Sequence, residues 1–342
     1  TSRDWSSDVC SSDLVHFRMK RLISLLLCAL LIIPALAEDA PDFEPIPWDI
    51  KVSPNLPNPD CYLPNNGGYH DDSIDIQINV TYWTQDLQQV DAPGEGTTTV
   101  MSARVKLTDV SQFRTGFANK YPSKQARHVN DMTKRFNAVM GIDGDYCLYH
   151  EQGIVVRNGQ TLRMRPHKGR DELIVDENGD FHLITRTTQA KWDEYIAGGG
   201  TVLHAFCFGP ALVVDGVPLT NLDDVTIDNG KAKKAQRMVI GQIGKLEYLI
   251  LTNEGPESTA PKSVGFDLVQ MANLCVQFGL NNAYNLDGGS SSTIALNNQK
   301  INSPSSHKNR MVGDCIWFAT LVKEETWREK ESVQTVEVEE NK

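Results

Sequence analysis

Short apolar runs broken by turn residues fill most of the chain, and their spacing predicts β-hairpins. Gly153–Arg157 and Thr161–Arg165 flank Asn158-Gly159, and Leu173–Val175 and Phe181–Ile184 flank Asn178-Gly179. Leu212–Val214 runs into Asp215-Gly216, and Met238–Ile240 and Leu246–Leu251 flank a turn around Gly244. Asn-Gly and Asp-Gly between apolar runs supply the positive φ angles that tight hairpins need. A last strand is expected over Ile316–Leu321. Helical spacing is rarer. One helix is expected from Arg127 to Val139, ending at Gly141. A clearer one runs from Ser263, its expected N-cap, to Phe278, with Leu268, Met271, Ala272, Cys275 and Phe278 on one face and Gly279 as its stop. Strands outnumber helices. The pattern predicts an α+β fold of mostly antiparallel, hairpin-rich sheet with a few packed helices, and no period suggests a repeat array.

The ends of the chain read differently. Residues 1–18 include Asp8-Val-Cys-Ser-Ser-Asp-Leu14, which resembles a translated sequencing adapter, and they are set aside from the fold. Met19 then opens a basic, apolar and small-residue series: Lys20 and Arg21, the run Leu22–Ile33, and Ala35-Leu-Ala37. That is the pattern of a signal peptide over 19–37, too short for a comfortable membrane span. It predicts a secreted, periplasmic or envelope-associated protein with no transmembrane span in the mature chain. Residues 38–94 read as a Pro- and Asp-rich leader with the first strands, 95–322 as the main domain, and 323–342 as a charged tail.

A formal charge of −11 argues against nucleic-acid partners. An anionic ligand would have to be held by local cations and amides rather than by the overall field. Cys61, Cys147, Cys207, Cys275 and Cys315 remain beyond the signal segment. Without a C-x-x-C pair they predict no structural zinc, and their odd number leaves at least one unpaired. Neither oligomeric state nor disulfide pairing can be read from the sequence.

One stretch carries more chemistry than the rest: Asn285-Leu-Asp287-Gly288-Gly289-Ser290-Ser291-Ser292-Thr293. A strand breaks at two glycines, where a ligand can approach main-chain amides, beside a carboxylate and four hydroxyls. Read alone, Asp287 would merely cap a hairpin turn. Asp143 and Asp145 flank Gly144 at the end of an apolar strand, which alone reads as a solvated acidic turn. Arg237 follows Lys231, Lys233 and Lys234 and alone reads as a surface residue. His307 and Arg310 sit in a hydroxyl-rich loop before the last strand. No nucleophile elbow, HExxH helix, P-loop or GxGxxG is present.

Taken in order, these clusters resemble the phosphodiester glycosidase family over about residues 95–322. The most specific match is Asn285–Thr293, close to the family's Asn-Leu-Asp-Gly-Gly-Gly-Ser-Ser-Thr. Gly141–Tyr146 is similar to the family's strand-ending turn, and Phe208-Gly-Pro210, Arg237, Ser263–Asp267 and Arg310-Met-Val312 follow in family order. Three positions depart from it: Asp143 stands where Asn is usual, Ser290 replaces a third glycine, and Cys147 replaces an aromatic.

The resemblance implies hydrolysis of a sugar-1-phosphodiester, of the N-acetylglucosamine type, at the sugar side. Free sugar and a phosphate monoester would be released. On that reading Asp287, Asp143 and Asp145 are the expected catalytic acids. Arg237 and Arg310 would grip the phosphate, aided by amides at Gly288 and Gly289. Asn285, Gly144, Ser290, Ser291, Ser292, Thr293 and His307 are the further expected contacts to substrate. No cofactor is required and no ligand pattern specifies a metal, although the acidic turns leave room for a divalent cation. The alternatives are a non-catalytic glycan-binding or envelope-assembly protein on the same fold, and cleavage at phosphorus.

Overall fold

Ten consecutive antiparallel pairs, from Ile74 opposite Leu107 to Trp83 opposite Thr98, join two long strands into the foundation of the largest sheet. Ala103, Val105 and Leu107 point into the core while Arg104 and Lys106 alternate outward, the period-two pattern of a half-buried strand. The computed structural model describes residues 43–49, 54–222, 225, 233–258, 262–303 and 309–328. The expected signal segment and residues 1–18 lie outside these, as does His307. No described helix is long and apolar enough to cross a membrane.

The architecture is the expected α+β one. The ten-stranded sheet places Glu247–Asn253, Arg237–Gly244, Asn282–Asn285 and Ala211–Val214 side by side after the Thr98–Leu107 strand. A second sheet contains Phe181–Ile184, Glu172–Val175, His204–Phe206, Gly153–Arg157 and Gln160–Arg165. A third contains Gln299–Lys300, Ile294–Leu296, Met140–Asp143, Asp314–Phe318 and Phe113–Phe117. Every strand pairing given for the described residues is antiparallel. The three sheets pool one core, in which Ile76, Met140, Leu173, Phe206, Ile240 and Phe318 meet. Each sheet also receives a helix. Leu268–Gln277 packs on Val239 and Leu251, Val129–Phe136 on Ala295 and Trp317, and Gln189–Ala197 on Ile154 and Ile174.

All four expected hairpins form. Asn158-Gly159 and Asp215-Gly216 each take positive φ at both turn residues, and the pairings across Asn178-Gly179 and after Gly244 are as read. The helix limits need correction. Gly265, at φ +82°, blocks a start at Ser263. The helix begins at Leu268 under Asp267, whose carboxylate accepts from Gln270 N–H at 2.8 Å while the Gln270 side chain accepts from Asp267 N–H at 3.1 Å. The earlier helix spans only Val129–Phe136 and stops at left-handed Asn137. Gly141 lies inside a strand, where an added Cβ would meet Thr133 of that helix at 2.6 Å. The Gln189–Ala197 helix, capped by Thr188, was not anticipated. The last strand is Asp314–Phe318.

The expected boundary at residue 95 falls inside the Ile74–Trp83/Thr98–Leu107 hairpin, so both halves belong to one sheet. The leader also packs in part. Ile46 is buried, and its N–H donates to Ser111 Oγ at 2.8 Å. Trp48 lies 4.6 Å from the Arg114 guanidinium. The five cysteines form no disulfide, and all but Cys61 are buried.

Candidate active site

The Asn285–Thr293 bend is not a hairpin. Its first strand, Asn282–Asn285, belongs to the ten-stranded sheet, and its second, Ile294–Leu296, pairs with Met140–Asp143 in the third sheet. The bend therefore carries the chain between two sheets, and it is pinned on both sides. Leu286 N–H donates to Met238 C=O at 2.8 Å and Asn285 N–H to Pro210 C=O at 3.0 Å. Asp287 N–H reaches Gly144 C=O at 3.2 Å, and Gly289 N–H reaches Gln236 C=O at 3.0 Å. Gly289 sits at φ +62° with open space where a Cβ would project, so glycine is needed there for conformation rather than for room. Its amide is committed to Gln236, which removes it from the expected phosphate donors.

Beside the bend is a cavity of about 520 Å³. Asn285, Asp287, Gly288, Gly289 and Ser290 line one part of it. Arg237 and the residues leading into its strand line another, and Arg310, Tyr146, Phe208 and Glu257 complete the wall. Three of the five charged residues expected to converge do so: Asp287, Arg237 and Arg310. Asp143 and Asp145 do not, because both are fully buried outside the cavity lining. Gly144, Ser291, Ser292 and Thr293 are likewise absent from the lining. The hydroxyls of Ser291, Ser292 and Thr293 are enclosed without protein partners, turned inward as the chain crosses to the third sheet. Gly144 acts from beneath, since its carbonyl holds Asp287 and a Cβ there would strike the Asp314 carboxylate at 2.3 Å. The sequence reading missed Tyr146 and Phe208 as cavity walls, and nothing marked Glu257.

Arg237 is not the surface residue that its sequence suggests. Only 5 % exposed, it donates Nη2–H to Lys233 C=O at 2.6 Å and Nε–H to Phe266 C=O at 3.4 Å. Burial pulls its pKa down to about 10, so it stays cationic at neutral pH. With Lys233, Lys234 and Arg310 it puts four basic residues around the cavity against Asp287 and Glu257. In a chain of charge −11 that local excess is what an anionic ligand requires.

Asp145 belongs to a separate buried network. Its Oδ1 accepts from Arg157 Nη2 at 2.9 Å and from Cys147 N–H at 3.1 Å, and its Oδ2 accepts from Cys207 N–H at 2.8 Å. The same Arg157 nitrogen donates to Asp314 Oδ2 at 3.1 Å. Burial alone would raise Asp145, but Arg157 and the amide donors hold it below the usual carboxylate range. Burial and the Asp145 charge instead push Asp314 up to about 7. Asp145, Cys147 and Asp314 have ligand atoms within 4.8 Å of one another. A guanidinium already supplies the positive charge between the two carboxylates, so the cluster gives no ground for a metal. Burial also raises the Cys147 and Cys207 thiols far above the range of a reactive thiolate.

Asp143 is the nearer structural support. Its Oδ1 accepts from Thr293 N–H at 2.8 Å, tying the third-sheet strand to the end of the bend, while its Oδ2 is buried without a partner. Burial first and the Asp287 charge second drive its pKa well above the usual carboxylate range. A raised carboxyl pKa stabilises the fold fully below the unfolded value of roughly 4, and that stability fades as pH climbs toward the folded value. Asp143→Asn, which keeps the acceptor without a titrating proton, should therefore raise the melting temperature more at pH 8 than at pH 5, by roughly 2–6 °C at pH 8. Equal shifts at both pH values in calorimetric melts would contradict a raised Asp143 pKa.

The sequence profile of phosphodiester glycosidases matches residues 136–319. The chain belongs to the phosphodiester glycosidase family. All the cavity residues named above lie in the matched phosphodiester glycosidase segment, whereas the Ile74–Trp83/Thr98–Leu107 hairpin precedes it and completes its sheet. Among solved structures, the chain is similar to the zebrafish N-acetylglucosamine-1-phosphodiester alpha-N-acetylglucosaminidase catalytic domain, auto-inhibited by its pro-peptide. The two share 14 % identity at a TM-score of 0.57 over 78 % of this chain and 87 % of that one. A hypothetical protein from Synechocystis aligns at 13 % identity and a TM-score of 0.49, over 73 % of this chain and 62 % of that one. At 14 % identity the likeness to the zebrafish domain speaks to the fold alone. A search of curated proteins finds no match.

Proposed function

We propose that this protein hydrolyses a sugar-1-phosphodiester, of the N-acetylglucosamine type, at its sugar–oxygen bond. The products are free sugar and a phosphate monoester. The observation that carries this reading is the meeting of Asp287 with Arg237 and Arg310 around one cavity in a chain of this family. A phosphate is a better leaving group than an alkoxide. The site therefore has less need of a strong general acid and more need to hold the departing negative charge. Arg237 and Arg310 do this with forked hydrogen bonds, and Lys233 and Lys234 add to the field. Asp287 faces the anomeric carbon, stabilises its developing positive charge and directs water to it. Asp143 and Asp145 play no direct part. The Met19–Ala37 pattern supports export, placing the substrate in a glycan or envelope polymer outside the cytoplasm.

The test is product analysis with an N-acetylglucosamine-1-phosphodiester. Free sugar with a phosphate monoester is the expected outcome. A sugar phosphate would mark cleavage at phosphorus, and retention of the diester without turnover would mark a binding protein.

A further inference from the structure

Arg114 carries a buried charge that no acid answers. It is 2 % exposed, and its Nη2–H donates to Pro47 C=O at 3.0 Å. Its Nε and Nη1 are enclosed without an acceptor among the described residues. Burial alone acts on its pKa, drawing it down to about 10, with no neighbouring carboxylate to lift it. Register sets Arg114 directly opposite Trp317, in the strands Phe113–Phe117 and Asp314–Phe318, so both side chains leave the third sheet on one face. Trp317 is 4 % exposed and stacks on Phe136, and its indole Nε1–H is likewise enclosed without an acceptor. The guanidinium lies 4.6 Å from the Trp48 ring and 5.8 Å from the Trp317 ring. None of these residues lines the cavity beside Asp287.

We infer that Arg114 and Trp317 bind a small monovalent anion, a halide such as chloride, beneath Pro47 and Trp48. The two indole faces offset part of the Arg114 charge, but less than a buried ion loses on leaving water. A water molecule accepts N–H groups yet leaves the charge uncompensated. The acids on the adjoining elements are engaged elsewhere: Asp314 with Arg157, and Glu44 with Lys323. A halide suits the place better than phosphate. It is spherical, satisfies few donors at once, and gives up less hydration among aromatic rings. Once bound, it fixes the guanidinium that holds Pro47 C=O, and so ties the Phe43–Asp49 stretch to the third sheet. The site stands whether or not the proposed reaction does.

The experiment is a set of thermal melts in sodium chloride and in sodium gluconate at equal ionic strength, gluconate being too large to enter. Wild-type protein should melt roughly 2–5 °C higher in chloride. Trp317→Phe keeps the ring stack but removes one N–H, and should need roughly tenfold more chloride for the same gain. Arg114→Met should lose the chloride dependence. Diffraction from bromide-soaked wild-type crystals should show an anomalous peak beside Arg114 Nη1 and Trp317 Nε1. Equal wild-type melting temperatures in the two salts, an unchanged chloride response in Trp317→Phe, or bromide peaks only elsewhere would overturn the site. A chloride response absent from wild type but present in Asp49→Asn would make Asp49 the counter-ion, and would overturn it too. Should Arg114→Met fail to fold, the Trp317→Phe response and the bromide peak still decide.

Discussion

Asp287→Asn should lower the rate of free-sugar release by about 10³-fold or more, while circular dichroism should show an unchanged fold. The substitution replaces one oxygen by an NH₂ of similar size. It removes the negative charge, and with it, on the proposed mechanism, both the stabilisation of a cationic sugar and the ability to orient water as a base. Asp287 is 8 % exposed at the wall of the cavity, and its backbone is fixed by Gly144 C=O, so the fold is expected to survive the change. Asp145→Asn is the contrasting case. It acts through the Arg157 network, and its effect should appear in the melting temperature before it appears in the rate constant. A variant at position 287 with full activity would remove this residue from the mechanism.

The largest stability effect is expected at Arg157. Arg157→Met leaves Asp145 and Asp314 facing each other in the interior without their shared guanidinium, an arrangement worth on the order of 3–5 kcal/mol of destabilisation. For a domain of this size that is a fall of roughly 10 °C in melting temperature. The sign with pH follows from Asp145. Its pKa is depressed by Arg157, so its stabilising contribution is present above the ordinary carboxylate pKa and lost as pH falls through the folded value. Removing Arg157 should therefore hurt most at neutral pH and least in acid, where the carboxyl groups can protonate. Thermal melts of Arg157→Met with and without Asp145→Asn and Asp314→Asn check this, and the triple variant should recover part of the loss. A melting temperature within a degree of wild type would contradict a structural role for the network.

The hairpins were legible because their determinants are local. Asn158-Gly159 and Asp215-Gly216 state their own turn geometry, whichever sheet the strands enter. Asn297-Asn298 does the same with φ +49° and +59°, yet passed unread for want of a glycine. Helix starts were less legible, since the one-residue veto at Gly265 outweighs a good serine cap two positions earlier. In the site, the family pattern located Asp287, Arg237 and Arg310. It could not show that Asp143 bonds to an amide 150 positions away, or that Asp145 is claimed by Arg157 and Asp314. Burial takes Asp143 and Asp145 away from the cavity, and it comes from the way the second and third sheets meet, which no local run announces. The inward turn of Ser291–Thr293 has the same cause.

Hydrolysis of an N-acetylglucosamine-1-phosphodiester in water enriched in ¹⁸O tests the central assignment most directly. Attack at the anomeric carbon puts the heavy oxygen on the C1 hydroxyl of the released sugar and leaves the phosphate monoester unlabelled. Label found in the phosphate, with the sugar unlabelled, would contradict the account.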